Sequence, residues 1–128
     1  MIIAVDFDGT CVTHAYPEVG KDIGAAKVLR ELVDNNNSLI LLTMRSGELL
    51  DAAVEWFKQN DIKLWGIQKN PTQHTWTSSN KVYAQLYIDD AGLGCPLKYD
   101  SEMSDRGFVD WASARQMLVS NGAIIEKT

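Results

Sequence analysis

Cysteine is scarce in this chain of 128 residues: only Cys11 and Cys95 are present, and they form no Cys-x-x-Cys pair. Two cysteines are too few for a disulfide framework, and no Cys-x-x-Cys pair or Cys/His cluster indicates a zinc site. We therefore expect two reduced thiols in a cytoplasmic protein.

Long apolar runs are also absent. The longest, residues 2–5 and 39–42, have four residues each, whereas a membrane-spanning helix needs about 20. The first run has no basic segment before it and ends at Asp6, so we expect no signal peptide. Because the sequence contains no repeat, linker or low-complexity tract, residues 1–128 are predicted to form one domain.

Basic charge is in deficit: 12 Lys and Arg residues face 17 Asp and Glu residues, which gives a net charge of −5. Nucleic acids and anionic membranes attract proteins that have a basic face. The sequence therefore predicts neither kind of partner, and the positions of the acidic residues become the main question.

Apolar runs alternate with segments of helical periodicity along the chain. Uninterrupted apolar runs at residues 2–5 and 39–42 predict strands buried on both faces. Residues 64–67 and 85–88 are predicted to form a third and a fourth strand. Helical spacing is found in three segments: 22–35, 46–58 with Ser46 as N-cap, and 110–120 with Asp110 as N-cap. Residues 12–21, 70–80 and 91–104 are predicted loops, residues 81–84 a helical turn and residues 123–125 a short edge strand. This order predicts a doubly wound parallel α/β sheet.

Polar residues follow the predicted strands at the edge where ligands of such sheets bind. They are Asp6, Asp8, Gly9 and Thr10 after the first strand, Thr43 and Arg45 after the second, and Asp89 and Asp90 after the fourth, with Lys81 shortly before it. Four crowded carboxylates repel one another, and a divalent cation with oxygen ligands, most simply Mg²⁺, would relieve that repulsion. Such a site leaves a place for phosphate, and an aspartate beside the metal can act as a nucleophile.

These segments resemble the four motifs of the haloacid dehalogenase (HAD) superfamily in its phosphatase form. Residues 6–10 are similar to the first motif, 39–43 to the second, Lys81 to the third and 88–90 to the fourth. The similarity covers about residues 1–91 and is especially close to small members that lack a cap domain. It implies a Rossmann-like HAD core, and the two gaps where caps are inserted are too short here for a folded domain.

The resemblance implies catalytic roles. Asp6 would attack phosphorus, while Asp8 would protonate the leaving oxygen and then activate water. Thr43 would hydrogen-bond the transferred phosphoryl group, and Lys81 would neutralise its charge and hold Asp6. Cys11 and Val82 differ from the residues common in the family, but no charged motif residue is missing.

The resemblance also implies the metal ligands, which would be Asp6, the Asp8 carbonyl and Asp89, with Asp90 acting directly or through water. Gly9 and Thr10 allow the backbone to turn after the first strand. With Arg45, they are the predicted substrate-binding residues. Arg45 either contacts phosphate or begins the second helix in solvent.

We therefore predict a Mg²⁺-dependent phosphatase that hydrolyses a small phosphomonoester, such as a phosphosugar or a nucleotide, through an aspartyl-phosphate. The open site would be covered by loops or by a second copy of the chain. His14, Tyr16 and Pro17 in one loop, and His74 and Trp76 in another, either contact substrate or are ordinary loop residues. Four bulky aromatic residues are predicted to pack in the core: Trp56, Trp65, Phe108 and Trp111.

Two other functions remain open. A non-catalytic phosphate- or metal-binding regulatory module on the same fold would bind without turnover, although it would not need Asp8. A phosphoacceptor receiver domain also combines acids, Thr and Lys. Its acceptor Asp should end a middle strand, whereas here Leu42 leads directly into Thr43.

Overall fold

A parallel sheet of four short strands forms the centre of the molecule. The computed structural model describes residues 1–127. The strands are β1 (Ile2–Val5), β2 (Ser38–Leu41), β3 (Gly66–Ile67) and β4 (Leu86–Ile88), in the order β3-β2-β1-β4. All pairs in this sheet are parallel, as the uninterrupted apolar runs predict. The order places β1 between β2 and β4. After β1 the chain adds β2 and β3 on one side, and it then crosses back to add β4 on the other side of β1.

Three helices pack against one face of this sheet. They are α1 (Ala25–Asp34), α2 (Gly47–Gln59) and α3 (Trp111–Ser120). Their buried side chains belong to the same cluster as the alternate strand residues Ile3, Val5, Leu39 and Leu41. Three of the aromatic residues predicted to pack in the core, Trp56, Phe108 and Trp111, are buried, and Trp65 is half-buried.

A loop, rather than a helix, covers the opposite face. Ala4 and Ile40 form a second, smaller cluster with Ala84, and Val82 and Trp65 pack against it. Residues 68–85, which connect β3 to β4 across this face, contain a single 3-10 turn, Gln73–Thr75. The α/β class and the parallel sheet are thus confirmed, but the described residues place no α-helix on the second face.

The last third of the chain adds a small antiparallel pair, β5 (Leu97–Lys98) and β6 (Phe108–Val109). Three predictions are wrong in detail. Residues 91–104, which are predicted to be a loop, contain β5. Residues 81–84 form no helical turn, because the Tyr87 hydroxyl and the Gln73 side chain take their backbone groups. Residues 123–125 form no strand, although Ala123 and Ile124 are buried against the helix face.

Among the helices of residues 1–127, none is long and apolar enough to cross a membrane.

Candidate functional site

Three carboxylates meet where β1 and β4 end. Asp6 directly follows β1, and Asp89 and Asp90 directly follow β4. One oxygen from each of these side chains lies within 4.8 Å of the other two. Neighbouring parallel strands have their carboxyl ends at the same edge of the sheet. For this reason the sequence alone could predict that these three residues lie together.

The cluster carries more negative charge than its surroundings neutralise. Burial, followed by repulsion from Asp89, raises the pKa of Asp6 to about 7. Thr10 lies between the acids: its Oγ1 is 3.0 Å from Asp6 Oδ2 and 3.2 Å from Asp90 Oδ1, and it accepts the Asp90 N–H at 3.0 Å. A hydroxyl has one proton, so Thr10 donates to one carboxylate at a time.

The donor set of this cluster fits a hard divalent cation. Carboxylate oxygens are the ligands that Mg²⁺ and Ca²⁺ prefer. A cation between them would offset the repulsion from Asp89, which adds to the effect of burial in raising the pKa of Asp6. The set does not distinguish Mg²⁺ from other hard cations. The predicted metal ligands Asp6, Asp89 and Asp90 are therefore together, while the Asp8 side chain lies outside the cluster.

Asp8 faces Arg45 instead of the other acids. The Arg45 guanidinium donates Nε–H to Asp8 Oδ2 at 2.9 Å and Nη2–H to Asp8 Oδ1 at 2.8 Å. This is a bidentate ion pair in which the Arg45 side chain is fully buried. The Asp8 carboxylate raises the pKa of Arg45 still further above its usual range, so the guanidinium stays charged.

The remaining Arg45 donors are also used. They donate to the carbonyls of Pro17, Glu18 and Leu49. The guanidinium carbon lies 5.0 Å from the centroid of the Phe7 ring and 5.3 Å from that of the Tyr16 ring. Together these contacts form a buried clamp around Arg45. The expectation that Arg45 lies in solvent at the helix start is therefore wrong, because its side chain is fully buried. Its five N–H donors face protein acceptors in this structure, and a contact with substrate stays a prediction.

Glycine is favoured at position 9 by its backbone conformation and by the side chains packed against it. Its φ is +77°, and a Cβ at this position would stand 2.1 Å from His14 Nε2 and 2.6 Å from Asp90 Oδ2. Its N–H donates to the Val12 carbonyl. Thr10 is fully buried. Gly9 and Thr10, predicted to bind substrate, therefore hold the turn and the acids in place.

His14 lies closer to the site than sequence reasoning could establish. Its Nε2 is 3.1 Å from Asp90 Oδ2, and this buried nitrogen makes no hydrogen bond of good geometry within residues 1–127. In the sequence, His14 is marked only by its position four residues after Thr10. In the structure, the loop that carries it folds back over Gly9. The spacing alone could not distinguish a site residue from an ordinary loop residue.

The last third of the chain supports this turn, which sequence reasoning missed. The Val109 N–H donates to the Gly9 carbonyl at 3.0 Å, and Trp111 Nε1–H donates to the Thr10 carbonyl at 2.7 Å. The β6 strand and the first residue of α3 therefore fix the backbone that follows the predicted nucleophile.

Thr43 is positioned by Gln68, another residue that sequence reasoning did not identify. Gln68 accepts the Thr43 N–H at 2.8 Å and donates to the Thr43 carbonyl at 2.6 Å. The Thr43 hydroxyl accepts the Arg45 N–H at 3.2 Å. Within residues 1–127 this hydroxyl donates no hydrogen bond, so its proton can be donated to a ligand. A glutamine that pairs with a distant backbone leaves no pattern in the sequence.

Lys81 does not contact the acids. It is exposed, and its ammonium lies 5.8 Å from the centroid of the Tyr87 ring. No ion pair formed by the described residues includes it.

The other loop residues predicted near the site are exposed: Tyr16, Pro17, His74 and Trp76. Trp76 forms an edge-to-face pair with Tyr83.

No family model and no curated protein matches this chain. The solved structure of a conserved protein coded by a locus of Bacteroides thetaiotaomicron is similar to it, with 36% sequence identity and a TM-score of 0.77. The similarity covers 100% of this chain and 98% of that one. That protein is described only as conserved, so the comparison supports a shared fold and names no activity.

Proposed function

This chain belongs to the same family as the conserved Bacteroides thetaiotaomicron protein, and we propose that it is a divalent-metal-dependent phosphomonoester hydrolase of the haloacid dehalogenase type. The observation that carries the proposal is the meeting of Asp6, Asp89 and Asp90 at the ends of two neighbouring parallel strands. Three acids that form no ion pair with Lys or Arg within residues 1–127 suit a bound metal and, beside it, a phosphate.

In this proposal Asp6 is the nucleophile. One of its carboxylate oxygens forms a bond to phosphorus while the bond from phosphorus to the leaving oxygen breaks, and Asp8 gives the leaving alcohol its proton. Asp8 then takes a proton from water, whose oxygen bonds to phosphorus as the Asp6–phosphorus bond breaks. The products are the alcohol and inorganic phosphate, and Asp6 is restored.

Asp6, Asp89 and Asp90 would hold the metal, which would neutralise charge on the phosphoryl group when bound. The Thr43 hydroxyl would donate to a phosphoryl oxygen, since Gln68 and Arg45 already fix its position. Lys81 would have to move from Tyr87 to reach that group. Asp8 would have to turn away from Arg45, or use a lone pair that Arg45 leaves free.

The test is phosphate release from an aryl phosphate, with and without Mg²⁺. We expect activity that needs the metal and is lost in Asp6→Asn, which keeps the side-chain shape and removes the nucleophilic charge. Asp51→Asn, an exposed substitution in α2, should leave the rate unchanged. Borohydride trapping of the acyl phosphate, followed by peptide mass spectrometry, should mark Asp6. Full activity in Asp6→Asn would rule out this nucleophile.

A non-catalytic module that binds metal or phosphate is the second candidate, and the Asp8–Arg45 pair favours it. Both carboxylate oxygens of Asp8 accept hydrogen bonds from a buried guanidinium. If the ion pair between Asp8 and Arg45 never opens, Asp8 cannot act as the general acid and base of the proposed reaction. Metal binding at the three acids without phosphate release from any ester would support this candidate.

For the first candidate, we propose a small phosphorylated substrate, such as a phosphosugar or a nucleotide, and a cytoplasmic setting that keeps both cysteines reduced. Between β1 and β4 the described residues form only α1, β2, α2, β3 and one 3-10 turn. None of these is a separate cap domain, and we propose that loops or a second copy of the chain cover the site. The charge of −5 argues against a nucleic-acid substrate.

A further inference from the structure

One buried nitrogen beside the acidic cluster takes no part in the proposed reaction. His14 Nε2 is the one buried side-chain nitrogen or oxygen of residues 1–127 that lacks a hydrogen-bond partner. A buried polar atom without a partner costs free energy, so such atoms are rare in folded proteins and each one calls for an explanation. The groups that His14 faces therefore indicate what this nitrogen does.

His14 faces the carboxylate of Asp90. The distance from His14 Nε2 to Asp90 Oδ2 is 3.1 Å, and the two side chains are only 13% and 16% exposed. This distance is that of an N–H···O hydrogen bond, and only the alignment of the two groups falls short. A proton on Nε2 would therefore be donated to Asp90 once the ring or the carboxylate turns.

Asp90 shares its other side-chain donor with a second acid. The Thr10 hydroxyl lies 3.2 Å from Asp90 Oδ1 and 3.0 Å from Asp6 Oδ2. Because a hydroxyl has one proton, Thr10 cannot donate to both carboxylates at once. Whenever it donates to Asp6, the nearest donor for the Asp90 carboxylate is His14.

The backbone at Gly9 makes room for this contact. A Cβ at Gly9 would stand 2.1 Å from His14 Nε2 and 2.6 Å from Asp90 Oδ2. The nitrogen and the carboxylate oxygen therefore lie against the same side of Gly9. Any other residue at position 9 would push them apart, so the turn after β1 is built to let His14 reach Asp90.

His14 lies outside the cluster that would hold the metal. One ligand atom from each of Asp6, Asp89 and Asp90 lies within 4.8 Å of the other two, and within residues 1–127 no group of three that meets this distance includes His14. Carboxylates that bind a metal are commonly held by hydrogen bonds from residues that do not touch the metal. His14 occupies the position of such a residue.

We propose that His14 is a positioning residue for the metal site, which donates its Nε2–H to Asp90 and so holds that carboxylate toward the cation. The inference rests on the proposed function only in so far as that function needs a cation at the three acids. A donor on one oxygen of Asp90 leaves the other oxygen free for the cation or for a water bound to it. A neutral imidazole with its proton on Nε2 is sufficient, so His14 need not be charged.

The test is the dissociation constant of Mn²⁺, a cation that suits carboxylate ligands and whose free concentration is measured by electron paramagnetic resonance. His14→Leu removes the donor and should raise this constant by about 10- to 100-fold. His14→Gln keeps an N–H donor near the position of Nε2 and should retain most of the affinity. The matched control is His74→Leu, because His74 is an exposed loop histidine and its loss should leave the affinity unchanged.

Urea denaturation of each variant ensures that affinities are compared between folded chains. Equal Mn²⁺ affinity in wild type and His14→Leu would overturn the proposal. An affinity of His14→Gln as weak as that of His14→Leu would also overturn it, because the donor would then not be what matters.

A double-mutant cycle shows whether His14 acts through Asp90. Asp90→Asn removes the charge that His14 is proposed to hold, so adding His14→Leu to it should cause little further loss of Mn²⁺ affinity. Coupled residues show such non-additive effects, whereas independent ones do not. Losses that multiply in the double variant would mean that His14 acts elsewhere and would overturn the proposal.

Two further measurements separate this proposal from its neighbours. An electron spin echo signal from a nitrogen bound directly to Mn²⁺, absent in His14→Leu, would make His14 a metal ligand and overturn the positioning role. Weaker Mn²⁺ binding in His14→Leu, from a chain that releases no phosphate from any ester, would overturn the proposed phosphatase and leave this inference standing. A wild-type chain that binds no Mn²⁺ would overturn both.

Discussion

Arg45 and Arg115 each form an ion pair with a carboxylate, one in the interior and one at the surface. Each makes a bidentate pair with one carboxylate, Arg45 with Asp8 and Arg115 with Glu31, at distances of 2.7 to 2.9 Å. The Arg45 side chain is fully buried, whereas the Arg115 side chain is 28% exposed. Water and salt weaken an exposed pair, while the loss of one partner from a buried pair leaves a charge without compensation.

We therefore predict that Arg45→Met lowers the free energy of unfolding by about 3 to 5 kcal/mol, and that the control Arg115→Met, at a solvent-exposed pair, lowers it by much less. Urea denaturation followed by tryptophan fluorescence measures both. A loss below about 1 kcal/mol in Arg45→Met would mean that the clamp on Asp8 and residues 17–18 does not stabilise the fold.

Gly9 allows a second test at the scale of one residue. Alanine there would meet a strained φ of +77° and would also collide with His14 and Asp90. Gly122 has a similar φ of +84° and nothing within 4 Å of its Cβ position. Gly122→Ala therefore measures the backbone strain alone, about 1 kcal/mol.

We expect Gly9→Ala to be more destabilising than Gly122→Ala by at least about 1 kcal/mol, and to weaken binding of a divalent cation, because Asp90 must move. Urea denaturation gives the first quantity and calorimetric titration the second. Equal stability and equal cation affinity in the two variants would show that the contact of Gly9 with His14 and Asp90 is unimportant.

The three clustered acids were predictable because each directly follows a buried strand, so the backbone decides where they lie. The partners of Asp8, Thr43 and Asp90 were not. Arg45, Gln68 and His14 reach them through side-chain orientations that depend on packing between distant segments. Lys81 illustrates the same limit: its spacing before Asp89 resembles a family motif, yet its ammonium lies over Tyr87.

At the scale of elements, the helices begin with different caps. The Asp110 carboxylate accepts the Ser113 N–H and hydroxyl at the start of α3. Ser46 occupies the N-cap of α2, as the sequence predicts, but its side chain makes no capping hydrogen bond. A capping residue therefore marks where a helix starts more reliably than it indicates a stabilising contact.

We predict that Asp110→Ala costs about 1 kcal/mol at neutral pH, while Ser46→Ala costs only a few tenths of a kcal/mol. The hydrogen bonds from Ser113 lower the pKa of Asp110 in the folded chain. A lowered pKa means that the contribution is present above the ordinary pKa of aspartate and is lost as pH falls through the folded value. Urea denaturation at several pH values should show the difference between wild type and Asp110→Ala shrinking in acid. A difference that does not depend on pH would contradict the capping role.

The strands and helices with clear periodicity were predictable, because burial on a sheet or on one helix face fixes the pattern of the sequence. The crossover between β3 and β4 was not. Residues 81–84 follow the fold of the loop, whose backbone is held by Gln73 and by the Tyr87 hydroxyl. Such long-range partners override a weak local preference.

At the scale of the whole molecule, the net charge of −5 reflects the site. Asp8 has its own guanidinium partner, so three acids, not four, lack a Lys or Arg partner among residues 1–127. Without those three, 14 acidic residues face 12 basic ones, a net charge of −2. More than half of the excess negative charge therefore lies in one small volume at the edge of the sheet, where its repulsion opposes folding until a cation binds.

We predict that Mg²⁺ or another hard divalent cation stabilises the folded chain, by about 2.7 kcal/mol at a free concentration 100 times its dissociation constant. The reason is that the cation binds the three converged carboxylates of the folded state, whereas the unfolded chain separates them. Thermal unfolding in EDTA and at increasing cation concentration measures the effect. Asp89→Asn should abolish most of it, and Asp51→Asn, which changes the net charge equally on the exposed surface of α2, should retain it. Equal stabilisation of both variants would mean that the cation screens surface charge and does not occupy the site.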